Sequence, residues 1–390
     1  MEENQKTLFT HARVMNPTEP IEDGWLLVAG GKIVSLGSGN PPESVQVQSA
    51  NRIDCKENTL LPGFIDLHTH GALGADFVFG SAEEINEISR HYAAHGVTGF
   101  LASTYAATAG EISSALRTIA ACMGNEAGAR ILGVHLEGPW LNPERCGAQD
   151  KNKIRTAEPE EALPYLDSGL IRLVSLAPEI PQNQWLISAC RDRGITVSAG
   201  HTNATFAEMQ KAVELGVTQA THCFNAMSPL HHREPGAVGA ALSLPEITCE
   251  LIADNIHVHP AVMALLVNAK TPRGVVLITD SISAAGMPDG IYTLEGQQVI
   301  CKEGTAKLAD GTLAGSTLTM DAALRNLVQA TGRPLEEIWC CSSLNAARSI
   351  HLEQRKGKIC EGYDADLVLL DSNLHVKLTM IGGKVVFVDR

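Results

Sequence analysis

The chain has 390 residues, with 44 acidic against 30 basic side chains and a formal net charge of −14. That length suffices for one large domain plus a smaller appendage, and the acidic balance argues against a nucleic-acid or anionic-membrane partner. No apolar run reaches the length of a membrane span, the opening MEENQKTLFT lacks the build of a signal peptide, and the ten scattered cysteines form no C-x-x-C pair, which together predict a cytoplasmic protein with reduced thiols.

In chain order, residues 1–60 alternate short β-rich runs with turn signals. LLVAGGKIVSLG predicts a hairpin turning at Gly30–Gly31. The last stretch, ADLVLLDSNLHVKLTMIGGKVVFVDR, repeats the style with Gly382–Gly383 as its turn. Two β-rich ends around a different middle predict one small β domain from residues 1–60 and 353–390.

The middle, 61–352, alternates strand and helix. Its candidate strands are 63–70, 98–104, 130–138, 171–179, 195–202, 219–226, 247–254 and 274–280. Helical patterns lie between them, for example SAEEINEISRHYAAHG, and NATFAEMQKAVELG with Asn203 as cap and Gly216 as stop. Eight apolar strands separated mostly by helix predict an α/β protein, a (β/α)8 TIM-type barrel. The alternative, a doubly wound open sheet, lacks a G-x-G-x-x-G after its first strand. Glycines spaced through 286–316 predict a β excursion beside the barrel mouth, followed by a helix at MDAALRNLVQATG.

A barrel enzyme keeps its chemistry at the C-terminal ends of its strands. The predicted ends carry His68 and His70, Thr104, Glu137, Glu179, His201, His222, Asp254 and Asp280. His68 and His70, spaced i, i+2 on a strand, project to one side, as two ligands of a divalent transition metal would; taken alone, such a pair is as readily an ordinary core or surface feature. Glu137 at the end of an apolar strand needs a partner or a metal, its plainer role being a cap or salt bridge. With His201 and His222 it makes a two-His, one-carboxylate set that leaves a position open for water; two satisfied core histidines are the plainer reading. Asp280 fits a proton acceptor and donor beside such water, or a strand-end cap. His135 is expected to point away from Glu137 and serve packing, and His11, His91, His95, His351 and His375 to be surface or structural. Arg233, in the HHREPG loop, suits a phosphate or carboxylate, though a solvated arginine reads equally well. His257 and His259 could join the same anion site.

LPGFIDLHTHG, HLEGPWLNPERCGA, APE, SAGHTNAT, THCFNAM, HHREPGAVG, LIADNIHVHP, LITDSISAAGMPDG and LAGSTLTMD together resemble the N-acetylhexosamine-6-phosphate deacetylases of the amidohydrolase superfamily, over nearly the whole chain. The resemblance implies a (β/α)8 barrel with a β-sandwich from both termini, usually a homodimer. It implies that Glu137, His201 and His222 hold a retained divalent metal and that Asp280 is general base and acid. Because His68 and His70 are kept, it allows a second ion there, bridged by Glu137; zinc is the first choice of metal, with iron, cobalt and manganese behind it. It implies Asn225, the Ala226 backbone and Arg233 at the sugar phosphate, Arg233 in its own site or in the neighbouring subunit's. His257 would lie at the sugar or phosphate, and Leu313 of LAGST joins the substrate-contacting set. One departure stands out: where the family usually has a histidine at the acyl carbonyl, this chain has Gln149, an amide that donates a hydrogen bond but carries no charge.

The expected activity is metal-dependent hydrolysis of an N-acetyl amino sugar 6-phosphate, of glucosamine or galactosamine type, to the amine and acetate. The rival within enzymes is hydrolysis of another amide: a different acyl sugar, an acylated amino acid or a cyclic ureide. A non-catalytic scaffold is the rival outside them, and such a protein would be expected to have lost ligands that are all present here.

Overall fold

The structure, a computed structural model, describes residues 6–48, 51–294 and 296–389; the first five residues of the opening segment lie outside it. Eight strands, β1 (Phe64–Thr69), β2 (Val97–Thr104), β3 (Arg130–Glu137), β4 (Ile171–Leu176), β5 (Thr196–Ala199), β6 (Val217–Ala220), β7 (Thr248–Ile252) and β8 (Val275–Ile278), pair in sequence order. Every pairing is parallel. Their side chains are nearly all buried on both faces, as strands between a helix ring and a filled barrel interior must be.

The first and last strands meet through a side chain as well as backbone. Buried Asp66 on β1 accepts from the backbone N–H of Thr279 at 3.3 Å and from its hydroxyl at 2.6 Å, while Asp280 N donates to His68 O at 2.8 Å. The (β/α)8 expectation therefore holds, and all eight sequence-derived strands exist. Five end two or more residues early: the stretches 171–179, 195–202, 219–226, 247–254 and 274–280 leave strand geometry at Leu176, Ala199, Ala220, Ile252 and Ile278. His201, His222 and Asp280 thus stand just past the strand tips, each with left-handed backbone (φ 46°, 30° and 49°). That conformation is rare for residues other than glycine and clusters at functional sites.

Helices start where side-chain caps satisfy the first N–H groups. Capping boxes pair Ser81 with Glu84, Thr108 with Glu111 and Thr205 with Glu208. The cap expected at Asn203 is a correction: Thr205 caps that helix, because Asn203 is already held, its N–H by Glu179 and its side-chain oxygen by Arg145 Nε. Gly216 closes the helix as expected, at φ 132°.

Both chain ends build one β layer. Strands Thr7–Val14, Ile21–Ala29, Lys32–Ser38 and Thr59–Pro62 join Leu367–Leu370, Val376–Ile381 and Lys384–Val388, and Thr59–Pro62 runs antiparallel to Leu367–Leu370. The edge of Thr7–Val14 forks, pairing Asn51–Asp54 along its first half and Thr59–Leu60 at its end. One core of the layer gathers Phe9, Val14, Leu26, Val28, Leu367, Leu369 and Met380, whereas Leu61, Val368 and Leu370 join the barrel's core. The two glycine hairpins form as expected and touch each other: a Cβ on Gly383 (φ 78°) would lie 3.0 Å from the Gly31 Cα. The β excursion is a separate four-stranded antiparallel sheet (Gly290–Leu294, Gln297–Lys302, Thr305–Leu308 and Leu313–Ser316), and Gln297 Nε2 donates to Ala148 O across the barrel mouth at 2.9 Å.

Candidate active site

Side chains from β1, β3 and the turns after β5, β6 and β8 converge at one point above the barrel. Glu137 Oε1 lies 3.2 Å from His201 Nε2, 3.0 Å from His222 Nε2 and 3.3 Å from His68 Nε2. Its Oε2 lies 3.3 Å from His70 Nε2. Two three-residue groups able to hold a metal result, His68–His70–Glu137 and Glu137–His201–His222, all buried and sharing the carboxylate. Asp280 Oδ1 sits 3.2 Å from His70 Nε2 and 3.5 Å from His68 Nε2.

Tautomers decide what these atoms present. His201 Nδ1 is 2.8 Å from the carbonyl of Arg145, and His68 Nδ1 is 3.1 Å from the buried Glu250 carboxylate. Both partners only accept, so Nδ1 carries a hydrogen, and in the neutral ring Nε2 turns a lone pair toward the Glu137 oxygens. Lone pairs converging at about 3 Å in a buried site call for a cation between them. The residues present therefore fit one or two divalent ions. Without one, the charges lean on each other. Burial pushes Glu137 up, but the His68 charge and hydrogen bonds from His201 and His222 outweigh it and hold the carboxyl well below its usual range. Burial pushes His70 down, and Asp280 and Glu137 reverse this to about 9.

Sequence reasoning missed Glu250. On β7, fully buried, it accepts from His68 Nδ1, from Gln219 Nε2 at 2.6 Å and from the His222 backbone N–H at 3.1 Å, so it orients the His68 ring and holds the backbone that carries His222. The only available signal was a lone charge inside the apolar run ITCELIAD. His135 is a correction. It sits two residues before Glu137 on β3, so it faces the barrel interior too: its ring lies 4.5 Å from the His68 ring and is held between the Ser103 and Ser175 hydroxyls. Burial and the His68 charge depress it well below an ordinary histidine, so it packs as a neutral ring. Glu179 ties loops together, accepting from Asn142, Thr202 and Asn203. Thr104 is buried at the tip of β2.

A cavity of about 250 Å³ opens beside the convergence, lined by His70, Gln149, Asn225, Ala226, His257, Asp280 and Leu313 among others. Asp254 holds His257 at 2.6 Å and raises its basicity against the effect of burial. Leu313 comes from the β excursion. Two expected members of the anion site lie elsewhere. The Arg233 side chain is exposed and paired with His232 at 2.8 Å, outside the cavity lining, and His259 caps the helix Pro260–Lys270 through Ala261 N. Among the described residues, no arginine or lysine lines the cavity. His11 and His351 are exposed, His375 donates its backbone N–H to the Asp371 carboxylate, and His91 and His95 lie on or at the end of a helix, as expected.

Residues 59–386 match the model of the Amidohydrolase family. The chain is 39% identical to an N-acetylglucosamine-6-phosphate deacetylase of Bacillus subtilis (strain 168), covering 99% of this chain and 98% of that one. It is 38% identical to an N-acetylgalactosamine-6-phosphate deacetylase of Escherichia coli O157:H7, over 93% and 96%. Its fold overlays a Mycobacterium smegmatis N-acetyl-D-glucosamine-6-phosphate deacetylase mutant, solved in complex with N-acetyl-D-glucosamine-6-phosphate, with a TM-score of 0.90 at 34% identity, over 98% and 99% of the two chains. The chain belongs to the amidohydrolase family, in its branch of N-acetylhexosamine-6-phosphate deacetylases.

Proposed function

We propose that this chain removes the acetyl group from an N-acetylhexosamine 6-phosphate of glucosamine or galactosamine type, giving the amino sugar phosphate and acetate. The observation that carries the reading is the meeting of Glu137, His68, His70, His201 and His222 on one buried point beside a cavity that Asp280 also lines. Glu137, His201 and His222 would hold one divalent ion and His68, His70 and Glu137 a second, zinc being the first choice and iron, cobalt or manganese the alternatives. Such an ion polarises an amide carbonyl and lowers the pKa of water. Asp280, next to both groups, takes the proton of the attacking water and passes it to the departing nitrogen. The Gln149 amide faces the same space and can donate to the acyl oxygen.

The phosphate end of the sugar would meet Asn225, the Ala226 backbone and His257, with Leu313 against the ring. A phosphate dianion needs more positive charge than His257 offers. The exposed Arg233 supports a homodimer in which each copy supplies this arginine to its partner's cavity. The chain would divide into a barrel, 61–352, and a β layer, 1–60 with 353–390. None of the described helices is long and apolar enough to cross a membrane, and all ten cysteines are free, which supports a cytoplasmic setting.

The test is acetate release from N-acetylglucosamine 6-phosphate and N-acetylgalactosamine 6-phosphate, side by side, on protein of assayed metal content. Turnover of either establishes the reaction, and the ratio of kcat/KM assigns the epimer. Metal-loaded protein that releases acetate from neither would refute the reading and favour another acyl group or amide.

A further inference from the structure

The two groups that share Glu137 are not equivalent, and the difference lies in Gln149. This side chain is buried, with Oε1 accepting the backbone N–H of Ala106 at 2.7 Å. Because that N–H can only donate, the amide cannot flip, and its NH2 end must face the convergence point. There Nε2 donates to Glu137 Oε2 at 2.8 Å. Oε2 is the oxygen turned toward His70, whereas Oε1 faces His201 and His222 and also lies 3.3 Å from His68 Nε2.

Oε2 is the oxygen that Glu137 would offer on the His70 side. A hydrogen bond donated to Oε2 draws on the electron density that an ion at His68 and His70 would need. Oε1 receives no amide donor, and the one other contact of Gln149 Nε2 in this cluster, to His201 Nε2, is long at 3.4 Å. We infer that Gln149 is a positioning residue that makes the two ion subsites unequal: tight at Glu137, His201 and His222, weak at His68 and His70. The second subsite is weakened and not abolished, since Asp280 Oδ1 lies within 3.5 Å of both of its imidazoles and supplies another anionic oxygen. The inference deepens the metal reading above and rests on it.

Titrating metal-stripped protein with zinc by calorimetry, and with cobalt followed by its visible absorption, tests it without any activity readout. The expected wild-type result is two separated binding steps. Gln149→Met removes the donor, and the weaker step should tighten about tenfold, the lower end of what partners of metal ligands govern, while the tighter step stays put. Gln149→Leu removes the donor with a different apolar shape and should shift the same step in the same direction, which guards against a Met variant that folds poorly. His70→Ala in each background should delete the weaker step and so identify it. Steps unchanged in both Gln149 variants, or a tighter step that weakens instead, overturns the inference while leaving the metal reading intact. No binding in the wild type overturns both.

Discussion

At the barrel mouth, five imidazole and carboxylate ligand candidates are buried around one point, and the backbone of His201 and His222, like that of Asp280, is left-handed. In the terminal β layer the left-handed hairpin positions fall to Gly30, Gly31, Gly382 and Gly383, and ion pairs such as Lys377–Asp389 lie toward the surface. Left-handed backbone at non-glycine residues occurs in both regions, at the exposed His11, Lys56 and Glu57 in the layer, but at the mouth it delivers buried side chains to one point. The mouth should therefore answer to substitution in turnover and metal content, and the layer in stability.

The largest expected effect is at Asp280→Asn. It should lower kcat by about 10³-fold with metal content and melting temperature little changed, within the range proton transfer contributes; wild-type turnover would remove Asp280 from its role. Leu367→Ala, in the layer's own core, should cost about 3 kcal/mol by denaturant titration while kcat of the folded fraction stays at the wild-type value. A fall in kcat there would show that the two regions are coupled.

The contact between them supplies the next prediction. Asp321 accepts from His95 and Arg325, and Arg325 also donates to the carbonyl of Leu374 in the C-terminal segment. Burial raises this carboxyl, but His95 and Arg325 outweigh it and leave it below its unfolded value of 3.8. A depressed acid contributes stability above its unfolded pKa and loses it as pH falls below that value. Asp321→Asn should thus cost about 2 kcal/mol at pH 7, with the gap to wild type closing progressively below pH 4. A gap independent of pH would assign the cost to packing instead. Smallest of all, Gly383→Ala should cost about 1 kcal/mol, since alanine in left-handed backbone would also press on the Gly31 backbone; no loss would mean the two hairpins separate readily.

What could be read from residues alone follows the same division. Period two places His68 and His70 on one side of a strand, and the end of an apolar run marks Glu137, because both signals are local. The same period applied to His135 puts it inward with Glu137, so the expectation that it points away was a failure of reading, not of signal. Glu250 was hidden for another reason. Its partners come from two other places in the sequence, His68 and the segment holding Gln219 and His222, and only the closed barrel brings them together. Asp66 was passed over likewise, since its role at the seam depends on Thr279, 213 residues away. The shortened strands at His201, His222 and Asp280 were unreadable because apolar patterning continues past the point where the backbone turns.

The pairing of Thr59–Pro62 with Leu367–Leu370 sets an order of events during synthesis. The first strands of the layer leave the ribosome about 300 residues before their partners, so at roughly 5–20 residues per second they wait on the order of 15–60 s with an unfilled edge. Throughout that interval the growing chain exposes Leu60 and Leu61 beside unpaired backbone, the arrangement that invites pairing with another molecule. A nascent chain halted near residue 350 would already contain every candidate metal ligand and yet lack the strand that pairs with Thr59–Pro62.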